Sequence, residues 1–150
     1  MTVVFGIGNP NRSDDAVGPL ILDALQAAEL PEGVELIPFM GDGTGLTLAL
    51  QNCRRAILID AVCDNGPPGD LVIIDCNNQQ LPPQQYLCSS HGFGLGEAIE
   101  MARALGTLPP WCFILGVRAS KLETGHELSR EVQDAIPRAV AWVTQQLNPS

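Results

Sequence analysis

Short apolar runs that end at turn formers recur along the chain and are typical of buried strands. The first of them stops at Gly8-Asn9-Pro10, and another stops at Asp60. The run before Asp60 contains no polar residue, so it predicts a central strand covered on both faces of a sheet. The predicted strands are Thr2–Ile7, Val34–Phe39, Ala56–Ile59, Leu71–Ile74 and Cys112–Val117.

Apolar residues three and four positions apart predict helices between these strands. The first helix has Asp14 or Asp15 available as its N-terminal cap, and it tolerates Pro19 because that residue falls in the first turn. In the last helix, Pro137 predicts a kink or an irregular turn. Four helices are predicted. The first begins at Ala16, and the second is short and ends at Gln51. The third follows His91, with Leu95, Ile99, Ala102 and Leu105 on one stripe, and the fourth runs from its N-cap residue Ser129 to Leu147.

Strands and helices alternate over most of the chain, which predicts a three-layer α/β/α sandwich around a twisted, mostly parallel sheet of about five strands. The exception is Leu71–Ile74, because the NGPPG turn before it is too short for a crossover helix and favours antiparallel pairing. The 150 residues, 45% of them hydrophobic, suit a single domain over 1–150. The polar segment 77–85 is predicted to be a surface loop.

Composition narrows the possible partners and the compartment. A formal net charge of -9 would repel a phosphate backbone, so we expect no nucleic-acid partner. We also expect no membrane span and no signal peptide, and therefore a cytoplasmic protein. The five cysteines contain no C-x-x-C pair and are expected to be reduced, buried thiols. They are Cys53, Cys63, Cys76, Cys88 and Cys112.

Two acids and a histidine stand at the ends of predicted elements. Asp60 ends a buried strand, Asp15 follows the first strand, and His91 lies in an SSHGFG segment before a helix, where the helix dipole keeps the ring neutral. Because the carboxyl ends of neighbouring parallel strands meet at one edge, we expect the three side chains to converge there. Two carboxylates and an imidazole suit divalent iron, zinc or nickel and leave positions open for a substrate.

Each of these residues also has a purely structural interpretation. Asp15 and His91 could cap the helices that follow them, and Asp60 could shape the next turn. The other histidine, His126, is expected in a surface loop.

Four motifs resemble, in order and spacing, the signature of the nickel-iron hydrogenase maturation endopeptidases, and the resemblance covers nearly the whole chain. They are Gly6-Ile7-Gly8-Asn9, Asp14-Asp15-Ala16-Val17-Gly18, Ile59-Asp60-Ala61 and Ser90-His91-Gly92-Phe93-Gly94-Leu95. The resemblance implies a protease that removes a short C-terminal extension from the [NiFe]-hydrogenase large-subunit precursor after nickel insertion. It also implies that Asp15, Asp60 and His91 bind nickel held by the precursor, and that the metal is not a permanent cofactor of the protease.

The cleaving group is less defined than the metal ligands. No Ser-His-Asp elbow and no H-E-x-x-H motif is present, so an acid acting as general base on water, Asp15 or Asp60, is the remaining catalytic candidate. The first acid of the family is often Glu, and Asp15 is one methylene shorter. The segment Gly41-Asp42-Gly43-Thr44-Gly45 resembles the family's Asp-Gly-Gly-Thr region with an offset, which makes Asp42 a further candidate.

Three alternatives stay open at this stage. The GIGNP segment also resembles the start of peptidyl-tRNA hydrolases, although the acidic Asp14-Asp15 pair departs from their pattern. Dinucleotide binding would need the third glycine of G-x-G-x-x-G, and Asn11 stands there. A non-catalytic, nickel-sensing binding module or chaperone would use the same ligands without cutting the precursor.

Overall fold

The computed structural model describes residues 1–11, 13–40, 43–64, 66–79, 94–120 and 127–148. The strands in these ranges are β1 (Thr2–Ile7), β2 (Val34–Phe39), β3 (Arg55–Val62), β4 (Leu71–Asp75) and β5 (Trp111–Arg118). The helices are α1 (Val17–Gln26), α2 (Gly43–Leu50), α3 (Leu95–Leu105) and α4 (Arg130–Leu147), and a 3-10 turn (Ser13–Ala16) precedes α1. None of these helices is long and apolar enough to cross a membrane.

The five strands form one sheet in the order β2-β1-β3-β5-β4. All neighbouring pairs are parallel except β4 with β5, which is antiparallel. The antiparallel direction of β4 agrees with the prediction, but its partner differs: a short connection favours pairing with β3, and β4 pairs with β5 at the edge of the sheet. The mostly parallel α/β architecture is therefore confirmed. Its consequence for the site is that β1, β3 and β5 end side by side at one edge of the sheet.

The core lies in two layers, one on each face of the sheet. Successive residues of β3 alternate between them: Leu58 packs with α2 and α3, whereas Ile57 and Ile59 pack with α1 and α4. These side chains are completely buried, and each contributes roughly 1.5–3 kcal/mol by leaving water. Side chains on both faces of the central strands are thus buried in apolar layers. Packing therefore does not explain a polar side chain in these strands.

Strand β3 extends further than the apolar run predicts. Asp60 lies inside the strand, not after it, because Ala61 and Val62 continue the buried pairing with β5. The last helix is unbroken through Pro137, which lies on its exposed side. The irregular turn considered for that position is therefore absent.

The cysteines separate into two groups. Cys53, Cys76 and Cys112 are buried and free, as expected. Cys63 is disulfide-bonded, so the expectation of a reduced thiol is wrong for this residue. Cys88 lies outside the described residues.

Candidate functional site

Close backbone packing places the 3-10 turn directly on the ends of β1 and β3. A Cβ atom on Gly18 would lie 2.5 Å from the carbonyl oxygen of Ile7 and 2.8 Å from that of Ile59, so only glycine allows this approach. Gly8 has a φ of 137°, and a Cβ there would overlap the carbonyl oxygen of Asp15. The glycines of the GIGN and DDAVG motifs therefore bring Asp15 down to the carboxyl edge of the sheet.

Asp15 is held at this edge by the loop that follows β1. Its carboxylate accepts a hydrogen bond of 3.1 Å from the backbone N–H of Asn9, and the residue is 8% exposed. The N-cap position of α1 is Ala16, so neither Asp14 nor Asp15 occupies it. The capping interpretation of Asp15 therefore does not account for its position.

Asp60 is a buried carboxyl group within the central strand, opposite Gly116 of β5. Its Oδ1 accepts a hydrogen bond of 2.8 Å from the N–H of Ala61. Burial raises the pKa of Asp60 well above its usual range, the negative charge of Asp15 raises it further, and the Ala61 N–H opposes this shift.

The 3-10 turn packs against the ends of β1 and β3 through Gly18, and Asp15 on this turn is near enough to Asp60 for its charge to raise the pKa of Asp60. Two adjacent carboxylates in a poorly solvated place can share a proton, take a proton from water or hold a cation, and each of these relieves their repulsion. A buried acid with a raised pKa beside a second acid is therefore chemically competent for both roles considered from the sequence.

The other two candidates, His91 and Asp42, lie outside the described residues. Among the residues that are described, no three potential ligands come together around one metal position. The carboxylate pair is the part of the predicted trio that the structure places.

Sequence reasoning gave no functional role to Asp14 or Arg118, which organise the same edge. Asp14 is completely buried and accepts hydrogen bonds from residues after β5. Arg118, the last residue of β5, donates from Nε to both oxygens of Asp64 at 2.9 and 3.1 Å and lies 3.7 Å from Asp70. In the sequence, only the acids beside the motifs hint at these interactions. The hydrogen-bond partners of Asp14 and Arg118 are distant along the chain and cannot be identified from local pattern.

An open groove of about 420 Å³ adjoins the 3-10 turn. Its lining includes Pro10, Ser13, Ala16 and Leu20, together with Leu128, which precedes α4, and Ile136 within α4. The groove shares Ser13 and Ala16 with the turn that carries Asp15.

Comparison with known proteins identifies the family to which the chain is similar. A family model described as "HycI: Hydrogenase maturation protease" matches residues 19–146, which include Asp60 and His91 and begin just after Asp15. The chain is 28% identical to the hydrogenase 2 maturation protease of Escherichia coli, over 99% of this chain and 91% of that protein. It is 27% identical to the coenzyme F420 hydrogenase subunit delta of Methanothermobacter thermautotrophicus, over 99% and 95% of the two chains.

A solved structure gives the same result for the fold. The hydrogenase maturating endopeptidase HybD from E. coli superposes with a TM-score of 0.80 at 26% identity, covering 97% of this chain and 91% of that one. The likeness therefore extends over the whole domain.

Proposed function

The chain belongs to the hydrogenase maturation protease family, and on that premise we propose that it removes the C-terminal extension of a [NiFe]-hydrogenase large-subunit precursor after nickel insertion. The observation that supports this proposal is that Asp15 lies on a turn packed against the ends of β1 and β3, where its charge raises the pKa of the buried Asp60. Family membership decides against the peptidyl-tRNA hydrolase and dinucleotide-binding alternatives. The cytoplasmic location predicted from the sequence remains part of the proposal.

In this proposal the nickel is part of the substrate. Asp15, Asp60 and His91 bind the nickel ion that the precursor already holds, and this contact aligns the scissile segment at the site. The repulsion between Asp15 and Asp60 supports such a role, because an arriving divalent cation removes it. A precursor without nickel would leave the two carboxylates facing each other and would dock less tightly.

The same carboxylates are our candidates for the chemical step. One of them, Asp15 or Asp60, takes a proton from water as the water oxygen attacks the scissile carbonyl, and the proton then passes to the leaving amine. Burial and the charge of Asp15 raise the pKa of Asp60, which makes its carboxylate a stronger base than that of an exposed aspartate.

The test is intact-mass measurement of nickel-loaded and nickel-free precursor after incubation with the purified protein. We expect shortening of the loaded precursor only. His91→Ala and Asp60→Asn should abolish the shortening, whereas His126→Ala, which changes the only other histidine, and Asp23→Asn, which changes an exposed acid on α1, should leave it intact. Cleavage by His91→Ala at the wild-type rate would refute the metal-reading role.

A second candidate function is nickel-dependent docking without cleavage. It is favoured by one observation, since a relative of similar length is described as a hydrogenase subunit and not as a protease. The same experiment separates the two functions: a binding module would form a complex with the loaded precursor and leave its mass unchanged.

A further inference from the structure

Asp14 is a completely buried carboxylate that the proposed chemistry does not use. From described residues it accepts hydrogen bonds of 2.6 Å from the backbone N–H of Ser120, 2.7 Å from the backbone N–H of Ser129 and 3.0 Å from the Ser129 hydroxyl. The donors are 106 and 115 residues away along the chain. This carboxylate therefore joins parts of the fold that no local interaction would hold together.

The donors lie at the two ends of one connection. Ser120 follows the last residues of β5, and Ser129 is the N-cap residue of α4. Serine is a preferred N-cap residue because its hydroxyl usually accepts a hydrogen bond from the helix backbone. Ser129 makes no such side-chain cap bond, and its hydroxyl is directed to Asp14. The Ser129 hydroxyl therefore bonds to the turn that carries Asp15 and not to the backbone of its own helix.

The turn itself needs support from outside. Ser13 has a φ of 42°, the left-handed region that residues with a side chain rarely adopt. Such a conformation persists only where surrounding contacts over-determine it. The next residue, Asp14, supplies these contacts through bonds to a charged acceptor, which are the stronger class of protein hydrogen bond. The residue after that is Asp15, whose backbone direction follows from the two before it.

We propose that Asp14 is a positioning residue: by binding both ends of the connection between β5 and α4, it fixes the turn so that Asp15 faces Asp60. This role rests on the proposed function, because it assumes that the carboxylate pair reads the precursor's nickel. It assigns to Asp14 no contact with the substrate. If the turn is loosened, the affinity for nickel-loaded precursor should fall more than the affinity for nickel-free precursor.

The measurement is the ratio of the dissociation constants for nickel-free and nickel-loaded precursor, together with kcat/KM for cleavage. Asp14→Asn keeps the side-chain size but turns an amide NH₂ toward groups that are themselves donors. We expect the ratio to fall at least about ten-fold, a loss of about 1.4 kcal/mol of discrimination. A merely structural role would lower the folded fraction and leave this ratio unchanged in the folded protein.

A second pair of variants covers the case in which Asp14→Asn does not fold. Ser129→Ala removes only the hydroxyl donor, retains the backbone N–H and loses no side-chain cap bond. The ratio should fall by a smaller factor of about two to five, which corresponds to the loss of one hydrogen bond while the bonds from the two backbone N–H groups remain. Ser129→Thr restores a hydroxyl at the same position and should restore the ratio.

Asn77 provides a matched control at the opposite end of the sheet. Its side chain also bridges distant segments, donating to the Pro109 carbonyl and accepting from the Cys112 N–H, both at 3.0 Å. Asn77→Ala should reduce stability without changing the ratio. The inference is overturned if folded Asp14→Asn keeps the wild-type ratio, if Ser129→Ala and Ser129→Thr behave alike, or if Asn77→Ala lowers the ratio equally.

Failure of the proposed function gives a different result. In that case the wild-type protein itself would neither cleave the loaded precursor nor prefer it, and the role of Asp14 would fall with it. A wild-type protein that cleaves and discriminates, beside variants that do so equally well, would overturn the Asp14 inference alone.

Discussion

At the scale of single residues, Asp60 shows a conflict between stability and chemistry. A carboxyl group completely surrounded by the core and beside another acid lowers the stability of the fold. The proposed function needs negative charge at this position and would account for an acid among the apolar buried residues of β3. Stability and activity should therefore respond to its replacement in opposite directions.

Replacing Asp60 by Asn should stabilise the protein at neutral pH. The side-chain amide oxygen can still accept the Ala61 N–H, and the buried charge is gone. Because the folded-state pKa of Asp60 is raised, the wild-type protein loses stability as pH rises from the ordinary carboxyl pKa to the raised value. The advantage of the variant should be small in acid, grow through this window and then level off, with about 1.4 kcal/mol for each unit of pKa shift.

Urea unfolding of both proteins at a series of pH values checks this expectation. Asp23→Asn, at an exposed position of α1, gives the background for removing one acidic group. An advantage of Asp60→Asn that is constant with pH, or that shrinks as pH rises, would contradict the assigned environment of Asp60.

Gly18 offers a second test at residue scale. Gly18→Ala places a methyl group 2.5 and 2.8 Å from the carbonyl oxygens of Ile7 and Ile59, and should cost roughly 2 kcal/mol or more through overpacking. The comparison is Gly33→Ala, where φ is 85° but no atom lies within 4 Å of the new methyl group. That change should cost about 1 kcal/mol, from backbone strain alone. Equal denaturation midpoints for the two variants would show that the turn can move away from β1 and β3.

At the scale of elements, the sequence predicts strands better than it predicts the site. The strands are apolar runs between turn formers and are therefore visible locally. Their order is less so, because β5 lies between β3 and β4 although the connection from β3 to β4 is short. Asp60 was misplaced at the end of β3 because a single acid looks like a stop, although pairing with β5 continues through Val62. The role of Asp14 was missed because its donors are more than 100 residues away and have no local signature.

Helix α4 gives a prediction about an element. Pro137 lies on its exposed side within an unbroken helix, where it removes a backbone N–H without adding buried contacts. Proline in a helix interior costs about 3 kcal/mol relative to alanine, and part of this is offset because proline also restricts the unfolded chain. Pro137→Ala should therefore raise the free energy of unfolding by about 1–3 kcal/mol.

The control in the same helix is Gln145→Ala, a change at another exposed position that should alter stability by only a few tenths of a kcal/mol. Both variants are compared by urea denaturation. A destabilised Pro137→Ala would mean that the proline shapes the packing of α4 against α1 and the sheet.

At the scale of the whole molecule, a core layer covers each face of the sheet, and the candidate site lies at the carboxyl edge. The three free cysteines of the described residues lie in the layer between the sheet, α2 and α3. They take no part in the site, which explains why their spacing carries no motif. The rate at which these thiols react therefore reports how often this core layer unfolds.

These thiols should resist alkylation until the layer unfolds. The hydrogen bond with Cys76 and burial raise the pKa of Cys112, and burial raises that of Cys53. Since the thiolate is the reactive form, iodoacetamide at mildly alkaline pH should label Cys53, Cys76 and Cys112 at least about a hundred-fold more slowly than in the urea-unfolded chain. Peptide-level mass spectrometry under non-reducing conditions measures each site, and Cys63, being disulfide-bonded, should react only after reduction. If Cys76 or Cys112 were labelled in the native protein as fast as in urea, the layer between the sheet and α3 would be open in solution, and the packing that sets β3 and Asp60 in place would not hold.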